Sequence, residues 1–179
     1  MYEKVKNFQH SKFWKFGEKL NSLLLMFFGV AATAVIFCAV VARYILHKDL
    51  YGNEEIILLI AWWLYFIGAM NGSMEDSQIK AEMMDIFIQD HKVLMKIKAV
   101  AKLIEGVVFA ASAVLSANLV QLNMIKMPKT TALKIPFTAA QIPIVIGFAF
   151  MSFYAFYYAL LFISDKRTEE EVKKEEDEK

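Results

Sequence analysis

The sequence predicts an all-α membrane protein: four transmembrane helices preceded by an N-terminal interfacial amphipathic helix, with both termini cytoplasmic. Three observations carry that expectation. Hydrophobic residues make up 58% of the 179-residue chain, more than an ordinary globular domain uses. Four stretches, Leu20 to Ala42, Ile56 to Met74, Gly106 to Ile125 and Ile135 to Ser164, contain no Asp, Glu, Lys or Arg. A hydrocarbon core of about 30 Å takes roughly 20 helical residues, which is the length of these stretches. The charges gather between them, and a formal net charge of +1 gives nucleic acid little to bind.

The first nineteen residues form the expected arm. In "MYEKVKNFQHSKFWKFGEKL" Val5, Phe8 and Phe16 share roughly one helical face, with Trp14 nearby and lysines around them. That pattern suits a helix lying among lipid headgroups; a non-helical basic leader is the simpler alternative. The first span, "LLLMFFGVAATAVIFCAVVA", is apolar on every side, unlike a soluble core helix with its polar face. It is too long for a usual signal-peptide core and lacks a clear small-x-small cleavage site, so it is expected to remain as an anchor. Its Cys38, the one cysteine, reads as an apolar filler.

The second span opens with "NEEIILLIAWWLYFIGAM". Asn53 is expected to cap this helix, placing Glu54 and Glu55 in its first turn, where the helix dipole favours negative charge by about 0.3–1 kcal/mol. Adjacent residues point about 100° apart, so the two carboxylates face different surroundings. Arg43, at the end of the first span, is the expected partner of one; headgroups or another protein would take the other. Further along, Gly68 and Gly72 form a small-xxx-small pattern that suits close helix packing. Residues 75–105 mix charge with apolar side chains, and one or two short amphipathic helices there would bury Met83, Met84, Ile86, Phe87 and Leu94.

On the third span Ser112, Ser116 and Asn123 fall within about 40° of one another at 100° per residue. They are expected to act as interhelical glue, while Asn118 and Gln121 lie on another face. Pro136 and Pro143 limit regular helix at the approach to the fourth span. Trp14 and Trp63 are expected to anchor the chain at the membrane interface, and Trp62 to pack between helices. Residues 20–164 thus form the transmembrane domain, and 165–179 a charged tail.

Orientation follows the retention of positive charge on the cytoplasmic side. Fifteen Lys and Arg lie before the first span, between the second and third, and after the fourth, against five on the other side: Arg43, Lys48, Lys126, Lys129 and Lys134.

Little in the chain announces chemistry. His10, His47 and His91 lie outside the spans on different segments, which disfavours haem ligation. Hydrolase, nucleotide and zinc-protease motifs are missing. A carboxylate inside a span would cost roughly 2.5–3.5 kcal/mol and would suggest an ion relay, and the four stretches hold none. The expectation is a protein that is not an enzyme, with no cofactor, metal or substrate-binding residues. A small membrane enzyme or redox subunit using Glu54 and Glu55, or a free-standing assembly adaptor, are the alternatives.

Taken in order, "ARYIL", "NEEIILLIAWWLYFIGAM" and "KTTALKIPFTAAQIPIVIG" resemble the small membrane subunit of tripartite ATP-independent periplasmic (TRAP) transporters, the DctQ-like family. The residues that match are Arg43, Glu54, Glu55, Trp62, Gly68, Ala69, Pro136, Pro143 and Gly147, and the likeness runs from about Leu20 to Ile163. Where many members carry a histidine after the second span, this chain has Gln78. The resemblance implies a scaffold in the bacterial or archaeal inner membrane, paired with a large DctM-like elevator subunit that binds sodium and substrate. It implies a periplasmic binding protein as second partner and an organic anion, a dicarboxylate or sialic acid, as cargo. Loops 43–55 and 126–138 are the expected docking surface for that protein, and membrane lipid the remaining partner.

Overall fold

Backbone amides in hydrocarbon must be satisfied within their own segment, so each apolar stretch is expected to be helical. The computed structural model, which describes residues 12–48, 50–75 and 91–164, has four helices there. They are α1 (Lys12–Tyr44), α2 (Asn53–Met74), α3 (His91–Lys126) and α4 (Phe137–Ser164). All four are long and apolar enough to cross a membrane. Residues 1–11, residue 49, positions 76–90 of the expected amphipathic stretch 75–105, Gln78 among them, and the tail 165–179 lie outside the described residues.

Two helices run further than the charge-free stretches. Residues 12–19 are continuous with α1, so the described part of the expected arm is the first two turns of the spanning helix rather than a separate element. Trp14 explains this: it is buried, with its ring 5.3 Å from Tyr154 and 5.1 Å from Tyr157 of α4. Protein, not headgroup, surrounds it. Likewise residues 91–105 belong to α3, whose 36 residues extend about 54 Å. Leu94 and Ala99 are buried on that extension.

The helices form a row in the order α1–α2–α4–α3, not a closed bundle, since the main contacts are α1 with α2, α2 with α4, and α4 with α3. In the middle of the row, α4 carries nine buried residues. Lipid tails are as apolar as leucine, so helices in a membrane associate through close packing and hydrogen bonds, not through exclusion of water. Glycine makes that approach possible here. A Cβ on Gly147 would lie 2.8 Å from Phe66 Cδ1, and one on Gly106 would lie 3.1 Å from the Phe156 ring. At the second crossing the Ser152 hydroxyl donates to the Gly106 carbonyl at 3.0 Å.

Antiparallel alternation collects the start of α1, the end of α2 and the end of α4 at one end of the row, the termini end. There the Tyr158 hydroxyl donates to the Met74 carbonyl at 2.7 Å, satisfying an acceptor that every helix leaves open in its last turn. Beside it, Asn21 Nδ2 donates to Asn71 Oδ1 at 3.0 Å and joins α1 to α2. The α1–α2 turn and the α3–α4 turn lie together at the opposite, loop end.

Candidate functional site

The α3–α4 connection is a short ordered turn. Lys129 and Pro136 form an antiparallel bridge, Thr130 N–H donates to the Ile135 carbonyl at 2.9 Å, and Ile135 N–H donates to Thr130 Oγ1 at 2.9 Å. Closing the hairpin leaves the amides at its tip without backbone acceptors. Glu55 supplies them: Oε1 accepts from Ala132 N–H at 2.7 Å and Oε2 from Leu133 N–H at 2.8 Å. Two consecutive amides held by the two oxygens of one carboxylate make a directional, charge-assisted clasp. Its partners are 77 and 78 residues away.

The turn that carries Glu55 is shaped for this contact. Gly52, not Asn53, is the cap of α2; it sits at φ 76°, ψ 5°, and no side chain caps the helix. That left-handed geometry is the natural one for glycine. A Cβ there would also come within 2.5 Å of Leu133 Cγ, so the glycine makes room for the residue whose amide Glu55 holds.

The Glu55 carboxylate is held by this turn, where the sequence suggested Arg43 as the partner of one of the two glutamates. Among the described residues the hydrogen bonds of the Glu55 carboxylate go to residues 130–133. Arg43 is exposed at the end of α1, and Glu54 is exposed with no side-chain hydrogen bond among the described residues. Backbone amides fixed in a turn need no side chain ordered to meet the carboxylate, whereas a pair with Arg43 would immobilise a long one. The two glutamates do face different surroundings, as their spacing requires.

The loop end also collects all three non-glycine residues with positive φ among the described residues: His47 (51°), Met127 (47°) and Lys134 (55°). Such conformations persist only where surrounding contacts hold them. Around them Lys48, Lys126, Lys129 and Lys134 are exposed, so this end presents a fixed and largely basic surface.

Of the two adjacent tryptophans it is Trp63, not Trp62, whose ring contacts reach neighbouring helices among the described residues. Trp62 is 37% exposed and, among the described residues, stacks on Phe66 of its own helix. Trp63 faces inward, stacked on Phe28 of α1 at 5.6 Å and donating its indole N–H to the Ala139 carbonyl of α4 at 3.2 Å. Pro143 lies within α4 and, having no N–H, cannot donate to the carbonyl four residues before it, which is Ala139. Trp63 takes that vacant place. Pro136 lies just before α4, and its carbonyl accepts from Ala139 N–H at 3.0 Å.

The polar residues of α3 divide differently from expectation. Ser112 donates to the Val108 carbonyl at 2.9 Å and Ser116 to the Ser112 carbonyl at 2.8 Å, so both hydroxyls are satisfied within their own helix. Asn123 alone of that group crosses to α4, donating to Gln141 Oε1 at 2.9 Å. Gly68 fits the α1–α2 contact, where a Cβ would meet Leu25 Cδ2 at 3.7 Å, and Gly72 is half-buried nearby.

Sequence reasoning missed Gly52, Gly106, the Asn21–Asn71 pair and the Thr130–Leu133 turn as partner of Glu55. The signal available for the asparagines was their amides beside or within charge-free stretches; the turn is brought to Glu55 only by the tertiary fold.

No curated protein sequence matches the chain. The family described as tripartite ATP-independent periplasmic transporters, DctQ component, matches residues 32–163, about three quarters of the chain. That match begins within α1 and takes in Arg43, both glutamates, the α3–α4 turn and nearly all of α4. With four spanning helices in place and the paired glutamates at the head of α2, the chain belongs to the DctQ family of multi-pass membrane components of these transporters.

Proposed function

We propose that the chain is the noncatalytic small membrane subunit of a sodium-coupled TRAP transporter, a fixed scaffold in the inner membrane for a large DctM-like elevator subunit. Family membership supports the reading, and the observation that carries it furthest is the open row α1–α2–α4–α3. A row with two broad apolar faces suits a wall against which another membrane protein moves. The cargo, on this reading, is an organic anion of the dicarboxylate or sialic acid class delivered by a periplasmic binding protein. Both chain termini are cytoplasmic, and the basic surface held by the Glu55 clasp is where the binding protein docks.

Reconstituted uptake tests the proposal. Proteoliposomes holding the large subunit and binding protein should transport only when this chain is included; full uptake without it would remove the scaffold role. Charge reversal at Lys129 and Lys134 should weaken docking of the binding protein, and unchanged affinity would take the docking surface away from this end.

A further inference from the structure

The two edges of the row differ in chemistry. Along the exposed face of α1 the large side chains are Met26, Phe27, Val30 and Phe37, each about two-thirds exposed. The hydroxyl of Thr33 on that helix is satisfied by the Gly29 carbonyl at 2.9 Å. Lipid covers such a face without leaving a polar group stranded.

The other edge, α3, is different. Asn118 and Gln121 are both exposed, and neither side chain has a hydrogen-bond partner among the described residues. Residues that meet α4 include Gly106, Phe109 and Asn123, which lie between roughly 140° and 240° from Asn118 at 100° per residue. Asn118 therefore points away from the row. At 1.5 Å per residue it is about 12 Å along the axis from Lys126, too deep for its short side chain to reach the headgroups. Ala111, Val114, Leu122 and Ile125 share its side of the helix, with Ala111 allowing close approach.

We infer that this outer face of α3, centred on Asn118 and Gln121, is where a transmembrane helix of a second polypeptide packs, one bringing hydroxyl, amide or unpaired backbone carbonyl groups to the two amides. Hydrocarbon offers these amides no partner, and polar side chains at this depth face protein or a water-filled cavity. The opposite edge, α1, is the lipid-facing one. The inference rests on the reading of the chain as one subunit of a membrane complex, and adds to it the face of attachment.

The test uses the complex reconstituted in lipid vesicles, with Cys38→Ser as background and nitroxide labels at Asn118→Cys, Val114→Cys, Val30→Cys and Phe37→Cys. Oxygen accessibility at 114 and 118 should fall several-fold between the isolated chain and the complex, while at 30 and 37 it stays lipid-like. Thiol cross-linking from position 118 should give a product heavier than two copies of this chain. High oxygen accessibility at 118 in an intact complex would overturn the attachment face and leave the scaffold reading standing. A product of twice the chain mass would overturn the choice of partner in favour of a second copy. If no second polypeptide purifies with the chain and 118 is lipid-exposed, both readings fall. Asn118→Leu combined with Gln121→Leu should reduce recovery of the larger subunit while the isolated chain keeps its helicity; unchanged recovery counts against the inference.

Discussion

The indole nitrogen of Trp63 lies 3.2 Å from the carbonyl oxygen of Ala139, the acceptor that Pro143 deprives of its helical donor. A residue of α2 thus repairs a break in α4, and the two helices are tied at the point where α4 would otherwise expose an unpaired group to hydrocarbon. An unsatisfied buried acceptor costs about 1–3 kcal/mol.

Trp63→Phe should therefore destabilise the chain by about that amount, and Pro143→Ala should return the missing N–H. Combining the two should recover most of the loss from Trp63→Phe, a coupling of about 0.5–3 kcal/mol. Unfolding midpoints of the four proteins in mixed detergent measure it. Strictly additive effects would mean that the indole is not replacing the proline's missing donor.

The clasp makes a different prediction for each glutamate. Glu55→Ala should release the amides of Ala132 and Leu133, lowering their hydrogen-exchange protection by at least about tenfold. Glu54→Gln should leave both amides as they are, because it is Glu55 whose carboxylate accepts from them. Equal effects from the two substitutions would show that charge at the head of α2, not the geometry of Glu55, orders the turn.

Gly52 has two separable requirements. Gly52→Ala should cost about 1–2 kcal/mol for the left-handed backbone, with a further steric loss against Leu133. Adding Leu133→Ala should recover the steric part alone. Complete recovery in detergent unfolding would show that the positive φ carries no weight.

Glycines in the spans should fall into two groups. Gly147→Leu drives a side chain into Phe66 and should cost about 1–3 kcal/mol as overpacking. Gly29 has nothing within 4 Å of its Cβ position, so Gly29→Ala should be neutral or stabilise by up to about 1 kcal/mol through helix propensity. Matching losses at the two positions would contradict the placement of Gly147 at a helix crossing.

The spans were legible because charge is costly in hydrocarbon and its absence is visible residue by residue. Helix ends were less so: Lys12 to Lys19 and His91 to Glu105 look interfacial by composition, yet each continues a helix already nucleated, held by Trp14 and by Leu94 with Ala99. Trp62 was expected to pack between helices and Trp63 at the interface, but two adjacent tryptophans in an apolar span carry no local mark of which faces inward, and it is Trp63 that meets α1 and α4. Ser112 and Ser116 share a face as expected, but a serine in a helix can bond its own backbone four residues back, and that competition does not show in a wheel. The partner of Glu55 lay beyond local reasoning altogether, since it depends on the α1–α2 and α3–α4 turns meeting in space.

The order of helices across the row differs from their order along the chain, and this bears on biogenesis. Segments leave the ribosome as α1, α2, α3, α4, but α3 finds its main neighbour only when α4 has been inserted between it and α2. Before then α3 lacks the α4 partners of Gly106 and Asn123, while the α1–α2 contact needs neither later helix. A nascent chain halted at Lys134 would lack the helix through which α3 meets the α1–α2 pair, and its poorly packed spans should make it a substrate for proteolysis. Of the four helices α4 is the keystone of assembly, and pulse-labelling of chains ending at 134 and at 164 should show the shorter one turned over much faster.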